Sequence, residues 1–164
     1  MALPGFGSAI RTVERKAGHE RTVVIGDLNM NPFEFGLVNA QGLNAVMTRE
    51  IAPRRTRTVD AAAYPFFYNP MWSCFGDSTH EMHPPSSQDH QPSGTCYYPA
   101  AESTWYYWNM YDQVLLRPDL LPYFRNRNLK IVISDGETSL LNQKGLPNRS
   151  LASDHLPLLF QLAV

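Results

Sequence analysis

No stretch of this chain is apolar for long enough to cross a bilayer, and no basic segment leading into an apolar core opens it. The sequence therefore predicts neither a membrane span nor a secretory leader. Cysteine is scarce. Cys74 and Cys96 are the only two, too few for a disulfide framework, and they read as free thiols in a reducing compartment, so the expected location is cytoplasmic. Charge of one sign is also lacking: a formal net charge of −1 gives no global field to draw in nucleic acid, so any polyanion contact has to be local. The densest basic stretch, Arg49 to Thr58 with Arg49, Arg54, Arg55 and Arg57, reads either as a solvated face or as a phosphate-facing patch. Asn148-Arg149-Ser150 fits the glycosylation pattern, which has no meaning in a cytoplasmic chain.

What is present suits one soluble domain, since 164 residues with 43% apolar content can bury a real core. Ile10, Val13 and Ala17 recur at helical spacing opposite Arg11, Glu14, Arg15 and Lys16, which predicts an amphipathic helix over 8–17 stopped by Gly18. Thr22-Val23-Val24-Ile25 is an unbroken β-branched run and predicts a strand buried on both faces. After the turn, Asn31-Pro32-Phe33-Glu34 reads as a helix start, with Asn31 as cap, Glu34 reaching back, and Gly42 as the end. Tyr64 to Trp72 is aromatic and reads as core or pocket wall rather than a base-stacking platform. Further strands are expected at 104–108, 112–116, 129–133 and 158–164, with a short helix or turn from Arg117. Residues 77–101, rich in proline and serine, read as a surface-loop insertion. Their His80, Glu81, His83, Asp89 and His90 lack the spacing of a zinc helix.

Three polar motifs sit at the edges of apolar runs: Gly26-Asp27-Leu28-Asn29, Tyr111-Asp112-Gln113, and Ser153-Asp154-His155-Leu156-Pro157. Asp27 and Asn29 fall in a strand-to-helix turn, where side chains are held still and offered to a ligand, although both residue types also serve turns structurally. Carboxylates, an amide and an imidazole together can position a water, bind non-bridging oxygens and stabilise developing charge at phosphorus.

In their order and context, these motifs resemble the later motifs of the endonuclease/exonuclease/phosphatase superfamily. Tyr68-Asn69-Pro70-Met71-Trp72 and Trp108-Asn109-Met110-Tyr111-Asp112-Gln113 resemble bacterial members in detail. The resemblance implies an α/β fold of the α+β type, part of a two-sheet β-sandwich flanked by helices. Residues 1–164 would correspond to the C-terminal part of that domain, with 77–101 inserted. It implies metal-dependent hydrolysis of a phosphate ester of phosphodiesterase or nuclease type, on nucleic acid or a smaller phosphodiester. Asp27 would orient the attacking water, Asn29 and His155 would contact the phosphoryl group, and Asp112 would orient His155. Asp154, with Asp27 as a further candidate, would lie at the metal, Mg²⁺ or alternatively Mn²⁺. The family's metal-binding Glu belongs to its earlier half, and no Glu here has a matching context. That gap leaves a second expectation: a catalytically incomplete module that binds a phosphate ligand or a complementing N-terminal chain without turnover. Without a covering layer, a few hundred Å² of bare apolar sheet is a liability of several kcal/mol at ~25 cal/mol per Å².

Overall fold

The computed structural model describes residues 3–76, 91–99 and 106–164. The first two residues of the strand expected at 104–108, and the histidine-rich stretch at 80–90, lie outside the described residues. In chain order the elements are α1 (Leu3–Ala17), β1 (Val23–Asp27), α2 (Phe35–Val38), β2 (Ala45–Val46), β3 (Thr56–Val59), β4 (Ala62–Pro65), β5 (Phe67–Tyr68), β6 (Cys96–Tyr97), β7 (Trp108–Asn109), β8 (Asp112–Leu116), β9 (Phe124–Ile131) and β10 (Leu158–Leu162). Helices and small sheets mix in an α+β architecture. A four-stranded mixed sheet runs in the order β1-β8-β5-β2, and β9 with β10, β3 with β4 and β6 with β7 form antiparallel pairs. No described helix is long and apolar enough to cross a membrane.

The period-two alternation of side chains sorts the central sheet into two faces. Tyr68, Val114 and Leu116 point one way, into a core shared with Phe124, Leu129 and Ile131 of β9 and with Leu158, Phe160 and Leu162 of β10. Val24, Phe67 and Leu115 point the other way and pack with Leu37 and Leu43 around α2 and with Ile10 of α1. The result is a helix layer, a sheet and a second, smaller sheet. Every buried side chain of β8 from Val114 to Leu116 is fully covered, which is why that segment reads as a continuous apolar run.

Two local expectations are corrected. β1 lies at the edge of its sheet, and Ile25 is 53% exposed, so the β-branched run is not a strand covered on both faces. In α1 the docked face is rotated from the apolar stripe: Val13 is exposed, while Gly7 and Glu14 are buried. Gly7 allows the contact, because a Cβ there would lie 2.0 Å from the carbonyl oxygen of Gly42.

Glu14 is buried because it has a partner. Both its oxygens accept from Arg117, at 2.8 Å from Nε and 2.9 Å from Nη2. The same guanidinium donates to the carbonyls of Pro65 and Phe66, each at 2.9 Å, and lies 3.8 Å from the ring centroid of Phe67. One arginine, 1% exposed, thereby joins the helix layer to β4, β5 and the end of β8. The basic stretch is likewise engaged within the fold. Arg49 donates to the carbonyls of Leu121 and Phe124, Arg55 pairs with Asp119 at 2.6 Å, and Arg57 lies over Phe66. Arg54, Arg55 and Arg57 nonetheless remain exposed.

Removing one partner of a buried pair strands the other charge, at a cost of about 3–5 kcal/mol. Glu14→Ala is therefore expected to lower the unfolding free energy by about that much in urea titrations. A loss of less than about 1 kcal/mol would show that the bridge does not hold α1 to the sheet.

Candidate active site

β1 and β8 pair antiparallel with Val23 opposite Leu116, Ile25 opposite Val114 and Asp27 opposite Asp112. These residues share the face that packs on the second sheet, so the apolar stripe of that face ends in two carboxylates set across from each other. β10 of the second sheet begins three residues after His155. The chain thus delivers the imidazole to the same end of the layered core. Nδ1 of His155 lies 2.7 Å from Oδ2 of Asp112. The residue pair expected from sequence is in contact, with both side chains about one-fifth exposed.

Asp27 also organises its own turn: its Oδ1 accepts from the backbone N–H of Asn29 at 2.8 Å. Asn29 takes a left-handed conformation, with φ of 50°, which asparagine tolerates well. Leu28 N–H donates to the carbonyl of Tyr111 at 2.8 Å, carrying the strand register into the turn. Asp27 and Asn29 are both exposed, Asp27 directly opposite Asp112.

Asp154 has a charged neighbour. It is ion-paired with Arg149, and hydrogen bonding to that guanidinium holds its carboxyl below the usual carboxylate range. Among the described residues no group of three histidine, cysteine or acidic side chains could hold a metal ion. Of the expected donors, Asp27 has an Oδ2 that makes no hydrogen bond among the described residues. Mg²⁺ keeps most of its waters and uses one or two carboxylates, so Asp27 fits as one ligand of such an ion and does not form a site by itself.

Several residues that hold this arrangement were not singled out by sequence. Asn31 does not cap a helix. It is fully buried, its Oδ1 accepts from Met110 N–H at 2.8 Å, and its Nδ2 donates to Asn109 Oδ1 at 2.9 Å. Glu34 does reach back, accepting from Asn31 N–H at 2.9 Å, but the helix that follows is only α2 and ends at Val38 rather than Gly42. Gln113 bridges Asn69, at 2.7 Å, and the carbonyl of Met30.

The second correction concerns 77–101, expected as a surface loop. Its described C-terminal part is built into the site. Gly94, Thr95 and Cys96 are buried, and β6 pairs with β7. A Cβ on Gly94 would lie 2.5 Å from the Asn109 carbonyl oxygen, so only glycine lets this strand approach. Thr95 accepts from Asp112 N–H at 3.2 Å through its hydroxyl and from Leu156 N–H at 2.7 Å through its carbonyl, which links the two motif strands. Tyr98 then places its phenol oxygen 3.3 Å from Nε2 of His155. Cys74 and Cys96 are both free thiols, as expected.

Burial, with Asp112 adding to it, pushes the Cys96 thiol up to about 12. A thiol whose folded pKa lies above its unfolded one contributes stability fully below about 9 and loses it as pH rises toward about 12. Native Cys96 is expected to resist alkylation at pH 8 while half-buried Cys74 reacts first; equal labelling of the two under native conditions would contradict the burial. Asn31→Ala removes the donor to Asn109 Oδ1 and the acceptor of the Met110 N–H, and is expected to cost about 1–3 kcal/mol in denaturant titrations. No measurable loss would mean that the turn is held by other contacts.

Compared with known proteins, the chain has no matching family model, no matching characterised protein and no matching solved structure.

Proposed function

We propose that this chain carries the catalytic end of a phosphate-ester hydrolase, of phosphodiesterase or nuclease type, with the site at Asp27, Asn29, Asp112 and His155. The observation that carries the reading is the 2.7 Å contact between Asp112 and His155, set directly across the strand pair from Asp27. A carboxylate on Nδ1 fixes the tautomer and ring orientation. Nε2 is turned away from Asp112 toward Tyr98, and when it carries a proton it can donate to a phosphoryl oxygen as charge grows there. Oδ2 of Asp27 accepts a proton from a water attacking phosphorus. Asn29 offers an exposed amide to the same group; the water oxygen forms a P–O bond as the ester P–O bond breaks, and the departing alkoxide takes a proton from solvent. Mg²⁺, or Mn²⁺ in its place, would be held at Asp27 and would supply charge neutralisation on the phosphoryl oxygens. The net charge of −1 and the intramolecular engagement of Arg49, Arg55 and Arg57 favour a smaller phosphodiester over long duplex nucleic acid.

A second reading, phosphate binding without turnover until a complementing chain joins, is favoured by two specific observations. Asp154 is held by Arg149, which leaves the metal ligands short. β1 and β10 each sit at a sheet edge, with Ile25 53% and Leu159 60% exposed, and edge strands of this kind accept an added strand.

The test is hydrolysis of bis(4-nitrophenyl) phosphate with Mg²⁺. His155→Ala is expected to lower the rate by about 10²–10⁴-fold, and Asp112→Asn to lower it in the same direction. Activity unchanged in His155→Ala would reject the catalytic assignment. A folded, monomeric wild type that binds phosphate through His155 yet never turns over would select the second reading. A monomer active with no added partner would remove the need for a complementing chain.

A further inference from the structure

Tyr98 stands on the side of His155 opposite Asp112. Its phenol oxygen lies 3.3 Å from Nε2, while Nδ1 faces Asp112 at 2.7 Å. In a neutral imidazole whose Nδ1–H is given to a carboxylate, Nε2 is the acceptor, so the phenol O–H donates to it. Nε2 is also the nitrogen through which His155 would reach a phosphoryl oxygen, and both partners cannot occupy its single in-plane direction at once.

The backbone behind Tyr98 is fixed. Its N–H donates to the Tyr107 carbonyl at 2.9 Å, Cys96 bridges His155, and Leu156 N–H donates to Thr95. The side chain is half-buried, with its ring 6.4 Å from that of Tyr111. Burial above all, with Cys96, Asp154 and Asp27 adding to it against Arg149, holds the phenol above its ordinary pKa. Near neutral pH the group is therefore a protonated donor lying among the motif residues.

We propose that Tyr98 gates the phosphoryl subsite: its hydroxyl takes the position on His155 that a phosphoryl oxygen would take, and a phosphate-bearing ligand binds by displacing it. The ligand class is a phosphate or phosphate-ester anion, and the gate rests on the phosphate-ester reading of the site. Entry breaks one neutral hydrogen bond and places a proton between Nε2 and the phosphoryl oxygen, brought by the ligand's own acidic form or taken from solvent. That proton is common to both proteins, so removing the hydroxyl is expected to tighten anion binding by about twofold to tenfold.

The test uses the full chain without metal, with inorganic phosphate as probe and the ¹⁵N resonances of the His155 imidazole as readout at one fixed pH. Tyr98→Phe keeps the ring and its packing. In the ligand-free state its Nε2 resonance is expected to differ from wild type. On titration the variant is expected to bind phosphate about twofold to tenfold more tightly, with both proteins converging on the same Nε2 shift at saturation. An unchanged ligand-free Nε2 shift would show that the contact is absent and overturn the gate by itself. Equal or weaker binding by the variant, with wild-type binding abolished in His155→Ala, would keep the phosphate site and overturn the gate, making Tyr98 a bystander or a ligand. No phosphate binding by either protein, with the ligand-free shift altered as expected, would overturn the phosphate reading and the gate with it.

Discussion

The register of β1 against β8 is the constraint on which the site depends. Because alternate residues of a strand face opposite ways, a slip of one residue would carry Asp27 to the helix-covered face and leave Gly26 or Leu28 opposite Asp112. The register is held at several points. Val24 and Leu115 commit to the helix side, Val114 and Leu116 to the side of the second sheet, and the hydrogen bond from Leu28 to Tyr111 extends the pairing into the turn. The polar clamp of Asn31 on Asn109 and Met110 closes the far side of that turn. A buried network of this kind is strong only when each member is satisfied, and here the asparagine uses both ends of its amide.

The rest of the fold positions the imidazole against that pair. β9 and β10 contribute Phe124, Leu129 and Ile131 to the core over the central sheet, and the entry to β10 sets the height of His155. Thr95 joins the two halves, since one residue contacts the backbone of both Asp112 and Leu156. On the opposite side of the sheet, Arg117 gathers α1, the Pro65 and Phe66 carbonyls and the Phe67 ring. The helix layer is therefore fastened by a charged bolt rather than by its apolar stripe.

What could be read from sequence follows from how local each signal is. β8 was legible residue for residue, because a run buried on both faces has few alternatives, and the contact between Asp112 and His155 was expected only from the family resemblance, not from any local signal. The α+β class, the free thiols and the reach of Glu34 back to Asn31 were legible for similar reasons. The edge position of β1 was not, since a β-branched run looks the same whether or not a neighbour covers it. Glu14 was assigned to the wet face of its helix because the arginine that buries it is 103 residues away. Asn31 looked like a helix cap, and only tertiary partners revealed it as a clamp. The segment from Gly94 to Tyr98 was hidden by its composition: glycine, threonine and proline nearby suggest a loop, and nothing local announces a strand of two residues pressed against the site.

That short strand has a neighbour with its own significance. Gly76 N–H donates to the Ser93 carbonyl at 3.0 Å, so the chain departs from the core and rejoins it at a single closed neck. Directly after Ser93, Gly94 meets the Asn109 carbonyl and Thr95 bonds the backbone of Asp112, so the spacing from Ser93 to Cys96 is set by the strands of the site. An inserted residue there would have to displace either the Gly76–Ser93 bond or the pairing of β6 with β7.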